Sequence, residues 1–306
     1  MDDTLKLVVA QTVALPLNDS RARLEQVLKL MDECTQHAPD LIVFPEAQLS
    51  GYAWPTKNKA LEAALDSNHL FFDLIQTKAQ EMDCDVIVGS LVNDAGALRN
   101  VAIHLQHTGT RFIYTKSTPL HLGADRFCRT GSQLFGQTQV KDFKIAILIC
   151  YDLTFPLAAF CAGLSGVDLI VVPTNWPQES AATTANFTVL SRAYETKCYI
   201  AAANKIGSEG DAEFCGSSCI VNPAGEWMQR AEALNENTSA ARPSYLHGQL
   251  LVATLNRTAT KKYRRFNPQY GISLGDVPID LVTAWLSQSK IAIPTSHDIC
   301  QDDGNN

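Results

Sequence analysis

The sequence has little from which to build a membrane, secreted or nucleic-acid-binding protein. Its longest apolar run beyond the amino-terminal strand, residues 145–150, is far too short to span a bilayer. The opening residues Met1-Asp2-Asp3-Thr4-Leu5-Lys6 carry no basic region ahead of an apolar core, so no signal or transit peptide is expected. Basic residues are scattered apart from Lys261-Lys262 and Arg264-Arg265, and the formal net charge is −7. An acidic chain without a broad basic stripe neutralises few phosphates, which argues against a nucleic-acid partner. The small basic cluster reads as a solvated loop. Low-complexity stretches are also lacking, which leaves disorder to the ends.

Cysteine is plentiful but not patterned. Nine cysteines stand at 34, 84, 128, 150, 161, 198, 215, 219 and 300, an odd number, and several sit inside apolar segments such as Lys197-Cys198-Tyr199-Ile200. Without a secretory leader they read as the reduced thiols of a cytoplasmic protein. Cys215 and Cys219 have no CxxC or HxxxH partner. They are expected to be two strand cysteines on one face rather than a zinc site, and no other metal site is expected.

What is present is a chain of 306 residues, 46% hydrophobic and 19% charged, enough for one large globular domain. Short apolar, β-branched runs bounded by Gly, Pro, Asp or Asn predict strands over 5–10, 41–44, 86–92, 101–105, 111–114, 144–150, 169–172, 199–203, 218–221 and 249–255. Helical spacing predicts helices over 20–37, about 61–64 with its flanks, 69–82, 155–164, 181–196 and 278–287. Asn18-Asp19-Ser20 supplies capping candidates for the first of these. Strands and helices alternate early, and hairpin turns at Asp94-Ala95-Gly96 and Thr108-Gly109 follow. This pattern predicts an α/β protein, a mixed sheet system covered by helices, in one domain over 1–290 with a partly frayed extension over 291–306.

Three strand ends carry residues that can do chemistry. Leu41-Ile42-Val43-Phe44-Pro45 delivers Glu46, a carboxylate whose pKa partial desolvation would raise toward that of a general base. Phe112-Ile113-Tyr114-Thr115 delivers Lys116, and Ile145-Ala146-Ile147-Leu148-Ile149 delivers Cys150. A helix directly after Cys150 would expose its side chain, offer backbone N–H groups to an oxyanion and lower the thiol pKa. Taken alone, each has a plainer reading: a solvated loop acid, a snorkelling surface lysine, a small hydrophobe in a core strand. Together, an acid, an ammonium and a thiol at the carboxyl edges of neighbouring strands supply a proton carrier, an electrostatic clamp and a nucleophile for acyl transfer.

At these places the sequence resembles the nitrilase superfamily of carbon–nitrogen hydrolases. Phe44-Pro45-Glu46 with Gly51-Tyr52, Tyr114-Thr115-Lys116, and Ile149-Cys150-Tyr151-Asp152 with Phe155-Pro156 match that family's glutamate, lysine and cysteine motifs. Pro173-Thr174-Asn175-Trp176-Pro177, Arg192-Ala193-Tyr194-Glu195, Ala203-Asn204-Lys205-Ile206-Gly207, Phe214 with Gly216-Ser217-Ser218, and Pro223-Ala224-Gly225 continue the match in order. The resemblance implies a four-layer αββα sandwich, a homodimer or higher homo-oligomer formed through the outer helices, and no metal or organic cofactor. It also implies a small amide or nitrile as substrate. Cys-Tyr-Asp is closer to the amidase-like branches than to nitrilases. One departure stands out: many relatives carry a second glutamate a short way after the lysine, where this chain has Ala124. Asp125, one residue on and one methylene shorter, is the candidate second acid.

The resemblance thus assigns Glu46 as general base, Lys116 and the Tyr151 backbone N–H as oxyanion stabilisers, and Cys150 as the nucleophile that forms a thioester. Tyr52, Trp54, Asn175 and Trp176 are the candidate substrate-binding walls, with packing as the alternative role of both tryptophans. Nitrilase and N-carbamoyl hydrolase chemistry stand as alternatives, as do an acyltransferase and a catalytically silent binding relative. A Cys–His pair is disfavoured, since no histidine holds a comparable strand end; His121 is expected on the pocket wall or surface.

Overall fold

In the computed structural model, residues 3–180, 183–233, 247–263, 265–267, 272–273 and 280 are described. The first strand shows how the layers arise. Thr4–Val13 (β1) is apolar over residues 7–10 and buried from there to Thr12 because both of its faces are covered. Leu5, Leu7 and Val9 pack into a core shared with Ile145, Ile147 and Val171, while Val8 and Ala10 pack with Val27, Leu30 and Phe72 on helices. Alternation of side chains across the strand sorts one sequence run into two cores. Each fully buried Val, Leu or Ile contributes roughly 1.5–3 kcal/mol.

The chain continues through Ser20–Cys34 (α1), Leu41–Val43 (β2), Lys57–Ala63 (α2), Leu70–Met82 (α3), Asp85–Asp94 (β3), Ala97–Leu105 (β4) and Arg111–Thr115 (β5). Asp19 caps α1 by accepting from the Ala22 N–H at 2.9 Å, as the sequence predicts. The β3–β4 hairpin closes through Ala95 and Gly96, both at positive φ (49° and 86°), which fits a tight two-residue turn to the strand twist. Gly136–Val140 (β6), Phe143–Ile147 (β7), Pro156–Leu164 (α4), Leu169–Pro173 (β8), Val189–Thr196 (α5) and Tyr199–Ala203 (β9) follow. Then come Lys205–Glu209 (β10), Ala212–Cys215 (β11), Cys219–Val221 (β12), Trp227–Arg230 (β13), Gly248–Asn256 (β14) and Arg257–Tyr263 (α6).

These fourteen strands form two sheets. One runs β11-β10-β1-β2-β3-β4-β5, with β14 also paired to β1, and the other runs β13-β12-β9-β8-β7-β6. Each has a parallel centre, β10-β1-β2-β3 in the first and β7-β8-β9 in the second, with antiparallel strands outside it. Helices α1 and α3 cover the outer face of the first sheet, and α4 and α5 that of the second. This is the expected four-layer αββα sandwich. Because the parallel strands of each sheet all point one way, their carboxyl ends open on common crevices, the usual seat of ligand sites in α/β folds.

All ten expected strands form. Those at 136–140, 205–209, 212–215, 227–230, 265–267 and 272–273 were not expected, nor was α6. Lys261 and Lys262 lie in the last turn of α6 rather than in a loop, where cations favour the helix dipole. The expected helix over 181–196 becomes a π turn, Thr184–Thr188, leading into α5. Cys215 and Cys219 do not share a face: β11 belongs to the first sheet and β12 to the second, with three residues between them turning from one to the other. The chain divides into two compact units, Met1–Arg265 and Phe266–Asn306, and the sandwich is the first. Apart from Asp280, the expected helix over 278–287 lies outside the described residues, as do the domain limit at 290 and the frayed tail.

Candidate active site

The three strand ends converge. Glu46 follows β2 and its connecting Phe44-Pro45, and is fully buried rather than partly solvated. Lys116 follows β5 directly and is 1% exposed, so it does not snorkel. Its Nζ donates to Glu46 Oε1 at 2.7 Å and to Asp125 Oδ2 at 2.5 Å. Asp125 reaches this place from a short 3-10 turn, Gly123–Phe127. The displaced second acid therefore still meets the lysine.

One neighbour absent from the sequence expectations, Asn100, and one expected only as a cavity wall, Tyr52, complete the cluster. Asn100, on β4 between β3 and β5, is fully buried and donates to both acids, at 2.6 Å to Glu46 Oε1 and 2.7 Å to Asp125 Oδ1. Its carbonyl also accepts the Lys116 N–H at 2.9 Å. An asparagine beside an apolar run reads as a strand boundary, so only its full burial reveals the role. Tyr52 donates its hydroxyl to Asp125 Oδ2 at 3.3 Å, tying the cavity wall to the acid. Glu46 Oε2 is buried and finds no hydrogen-bond partner among the described residues.

Cys150 sits at a sharp corner. β7 ends at Ile147, and Cys150 opens a 3-10 turn, Cys150–Leu153, at φ +48°. A non-glycine residue in that left-handed region is strained and persists only where its surroundings impose it. The α-helix expected at once begins only at Pro156. The expected lowering of the thiol pKa is overturned too. Burial pushes Cys150 up to about 12, and the negative charge of Glu46 adds to this. The ammonium of Lys116, the Thr174 side chain and the Asn175 backbone N–H oppose the rise without cancelling it.

Burial likewise raises Glu46, helped by the Asp125 charge and resisted by Lys116 and by hydrogen bonds from Lys116 and Asn100. Burial alone would lower Lys116, but Asp125 and Glu46 outweigh it and hold the ammonium well above its ordinary pKa. The resting cluster is thus an ammonium between acids, next to a neutral thiol.

A cavity of about 520 Å³ opens over Cys150. Tyr52, Trp54, Tyr151, Asn175 and Trp176 line it, together with Phe214. All four expected wall residues are therefore present, and both tryptophans are almost fully buried (5% and 2% exposed). Asn175 donates to the Glu46 carbonyl at 3.0 Å, while its own Oδ1 and the indole N–H of Trp176 have no partner among the described residues. His121 is exposed, although its neighbours Leu120 and Leu122 line the cavity. Among the described residues, no group of three or more His, Cys, Asp or Glu is arranged to hold a metal ion.

The carbon-nitrogen hydrolase family model matches residues 9–265. A hydrolase encoded in the pqqF 5′ region of Pseudomonas protegens is 29% identical over 272 residues, 86% of this chain and 87% of that one. The omega-amidase YafV of Escherichia coli is 28% identical over 201 residues, 63% of this chain and 73% of the enzyme. A variant of the amidase from Nesterenkonia sp. AN1, with an acetamide moiety covalently added at its active-site cysteine, superimposes with a TM-score of 0.72. It is 18% identical, and the alignment covers 93% of this chain and 98% of that one.

Proposed function

The chain belongs to the carbon–nitrogen hydrolase family, and on that premise we propose that it hydrolyses the carbon–nitrogen bond of a small, partly apolar amide through a thioester on Cys150. The observation that carries this reading is the Glu46–Lys116–Asp125 cluster beside Cys150 at the floor of an aromatic-lined cavity. Glu46 accepts the thiol proton as Sγ attacks the amide carbonyl carbon. A base is needed because burial holds Cys150 in its thiol form. Lys116 Nζ and the Tyr151 backbone N–H stabilise the tetrahedral oxyanion, each such donor contributing about 3 kcal/mol to lowering the barrier. Glu46 then passes its proton to the departing nitrogen, the C–N bond breaks, and ammonia or an amine leaves the acyl group on sulfur. Water enters, Glu46 takes one of its protons, and the hydroxide equivalent displaces the thiolate, which is reprotonated as the acid product leaves.

The cavity suits a compact substrate. Its walls are mostly apolar, and Asn175 Oδ1 and the Trp176 indole N–H, which have no partner among the described residues, offer complementary polar contacts to an amide group. A homodimer built through the α4–α5 layer is part of the same proposal. Exposed Phe155, Leu157, Phe187 and Tyr194 on and beside these helices support it. The eight described cysteines are free thiols, which suits a reducing compartment such as the cytoplasm. No helix of the described residues is long and apolar enough to cross a membrane.

The test is a panel of small amides, nitriles and N-carbamoyl compounds, with ammonia, acid and carbon dioxide measured separately. Ammonia with acid from amides is expected. Turnover confined to nitriles, or carbon dioxide from carbamoyl compounds, would transfer the assignment to those alternatives, and silence of a folded protein across the panel would contradict it.

A further inference from the structure

Asp152 lies outside the roles assigned above, yet it is a fully buried carboxylate two residues past Cys150. Among the described ion pairs none involves it; its charge is met by hydrogen-bond donors instead. Oδ2 accepts from the Tyr114 hydroxyl at 3.0 Å and from the Ile149 N–H at 2.9 Å. Oδ1 accepts from the Ser117 hydroxyl at 3.0 Å, the Thr118 N–H at 2.8 Å and the Thr118 hydroxyl.

These donors come from two places only. Tyr114, Ser117 and Thr118 flank Lys116 on both sides, and Ile149 and Asp152 flank Cys150 on both sides. We propose that Asp152 is a positioning residue that fixes the lysine segment against the nucleophile corner, setting where Lys116 Nζ stands relative to Cys150 Sγ. The idea rests on the thioester reading of the site but concerns a residue that takes no part in the chemistry.

Three features favour this role over simple core filling. The corner it braces is strained, with Cys150 at φ +48°, so something must hold it. Lys116 stands in the first sheet's chain path and Cys150 in the second's, and a charge-assisted link across such a gap is stronger and shorter than a neutral one. A buried carboxylate also has no relaxed alternative, because leaving it unpaired in a dry interior is costly. The geometry of the two segments is therefore set jointly rather than separately.

Asp152→Asn keeps the shape but turns one acceptor into a donor. The hydroxyls can rotate to accommodate an amide, whereas the N–H of Ile149 or of Thr118 is left facing another N–H. One of the two segments must then shift, and a displacement near 1 Å at the reacting groups costs about 100-fold in rate.

The test uses the intact protein and two readouts. For amide hydrolysis, Asp152→Asn is expected to lower kcat about 100-fold while KM stays within about threefold, because the cavity walls are untouched. Tyr114→Phe, which removes one of five donors, is expected to lose less than about fivefold. Alkylation of Cys150 by iodoacetamide, followed on its peptide by mass spectrometry, is expected to slow about tenfold or more in Asp152→Asn, since sulfur loses its aligned proton acceptor. This second readout needs no amide turnover, so it stands even if the hydrolase reading fails. A variant that unfolds at lower temperature but matches wild type in kcat per folded molecule and in Cys150 alkylation would overturn the proposal and leave Asp152 a structural residue. Should Asp152→Asn not fold, the double variant Ser117→Ala with Thr118→Val removes two of the three hydroxyl donors on the lysine side and is expected to reproduce the kcat loss at unchanged KM. Wild-type kcat and alkylation in that variant would equally overturn it.

Discussion

Glu46 and Asp125 set two carboxylates against one ammonium, at 2.7 and 2.5 Å from Lys116 Nζ, in a place almost without solvent. With both acids ionised the cluster carries one excess negative charge, so an added proton relieves it, and burial with the Asp125 charge raises Glu46 accordingly. A general base works only when deprotonated. In the proposed mechanism kcat/KM must therefore fall as pH falls through the raised Glu46 value, placing the acid limb above the ordinary glutamate pKa of about 4.3. A pH profile checks this; a limb at or below that value contradicts it. Asp125→Asn removes the charge that helps raise Glu46, so the limb should move to lower pH while kcat falls. A limb moving up, or standing still, would deny Asp125 its place in the cluster. At this scale Glu46, Lys116 and Cys150 were legible because each ends an apolar strand. Asn100 was not, since full burial of a polar side chain depends on which strands become neighbours.

The elements that carry these residues depend on close backbone approach. Gly89 on β3 passes directly behind the glutamate: a Cβ there would lie 2.5 Å from the Pro45 carbonyl oxygen and 2.6 Å from Glu46 Cα and the Ala47 nitrogen. None of these can yield without moving the Glu46 backbone. Gly89→Ala is expected to cut kcat by about 100-fold through that displacement, and wild-type kinetics in the variant would show that the loop is freer than this packing implies. A second brace lies behind the cavity wall. Glu209 at the end of β10 accepts from the Tyr52 and Ala53 N–H groups at 2.5 and 3.1 Å, and from Arg23 and Lys205, both at 3.1 Å. Burial works against its charge, but Lys205, Arg23 and the two N–H groups together lower its pKa. A lowered folded pKa means that the carboxylate contributes stability above its unfolded pKa and loses it as pH falls through the folded value. Glu209→Ala strands two buried cations and should cost about 3–5 kcal/mol at pH 7, measured by denaturant unfolding. A loss under 1 kcal/mol would count against the brace. The central strands could be read from the sequence because both of their faces are buried. Gly136–Val140 escaped notice because Gln137, Thr138 and Gln139 make it polar, as a sheet-edge strand can be.

Across the whole molecule, strand and helix patterning foretold a mixed sheet system covered by helices, and the four-layer sandwich itself came from the family resemblance of the motifs. What neither foretold is how the second acid arrives: Asp125 reaches Lys116 from a 3-10 turn whose shape depends on Gly123 at φ +51° packed against Tyr52. Oligomeric state belongs to this scale as well. If the α4–α5 layer is the dimer face, Leu157→Lys combined with Tyr194→Glu should convert a dimer to a monomer in sedimentation equilibrium, and a mass unchanged by the pair would place the interface elsewhere. The proposed chemistry nevertheless turns on one atom, the sulfur of Cys150. The deciding measurement is ammonia release from the best amide of the panel by wild type and by Cys150→Ala, with thermal unfolding showing that both are folded. Turnover by wild type and none above background in Cys150→Ala is the predicted result; comparable ammonia release from the folded alanine variant would contradict the mechanism.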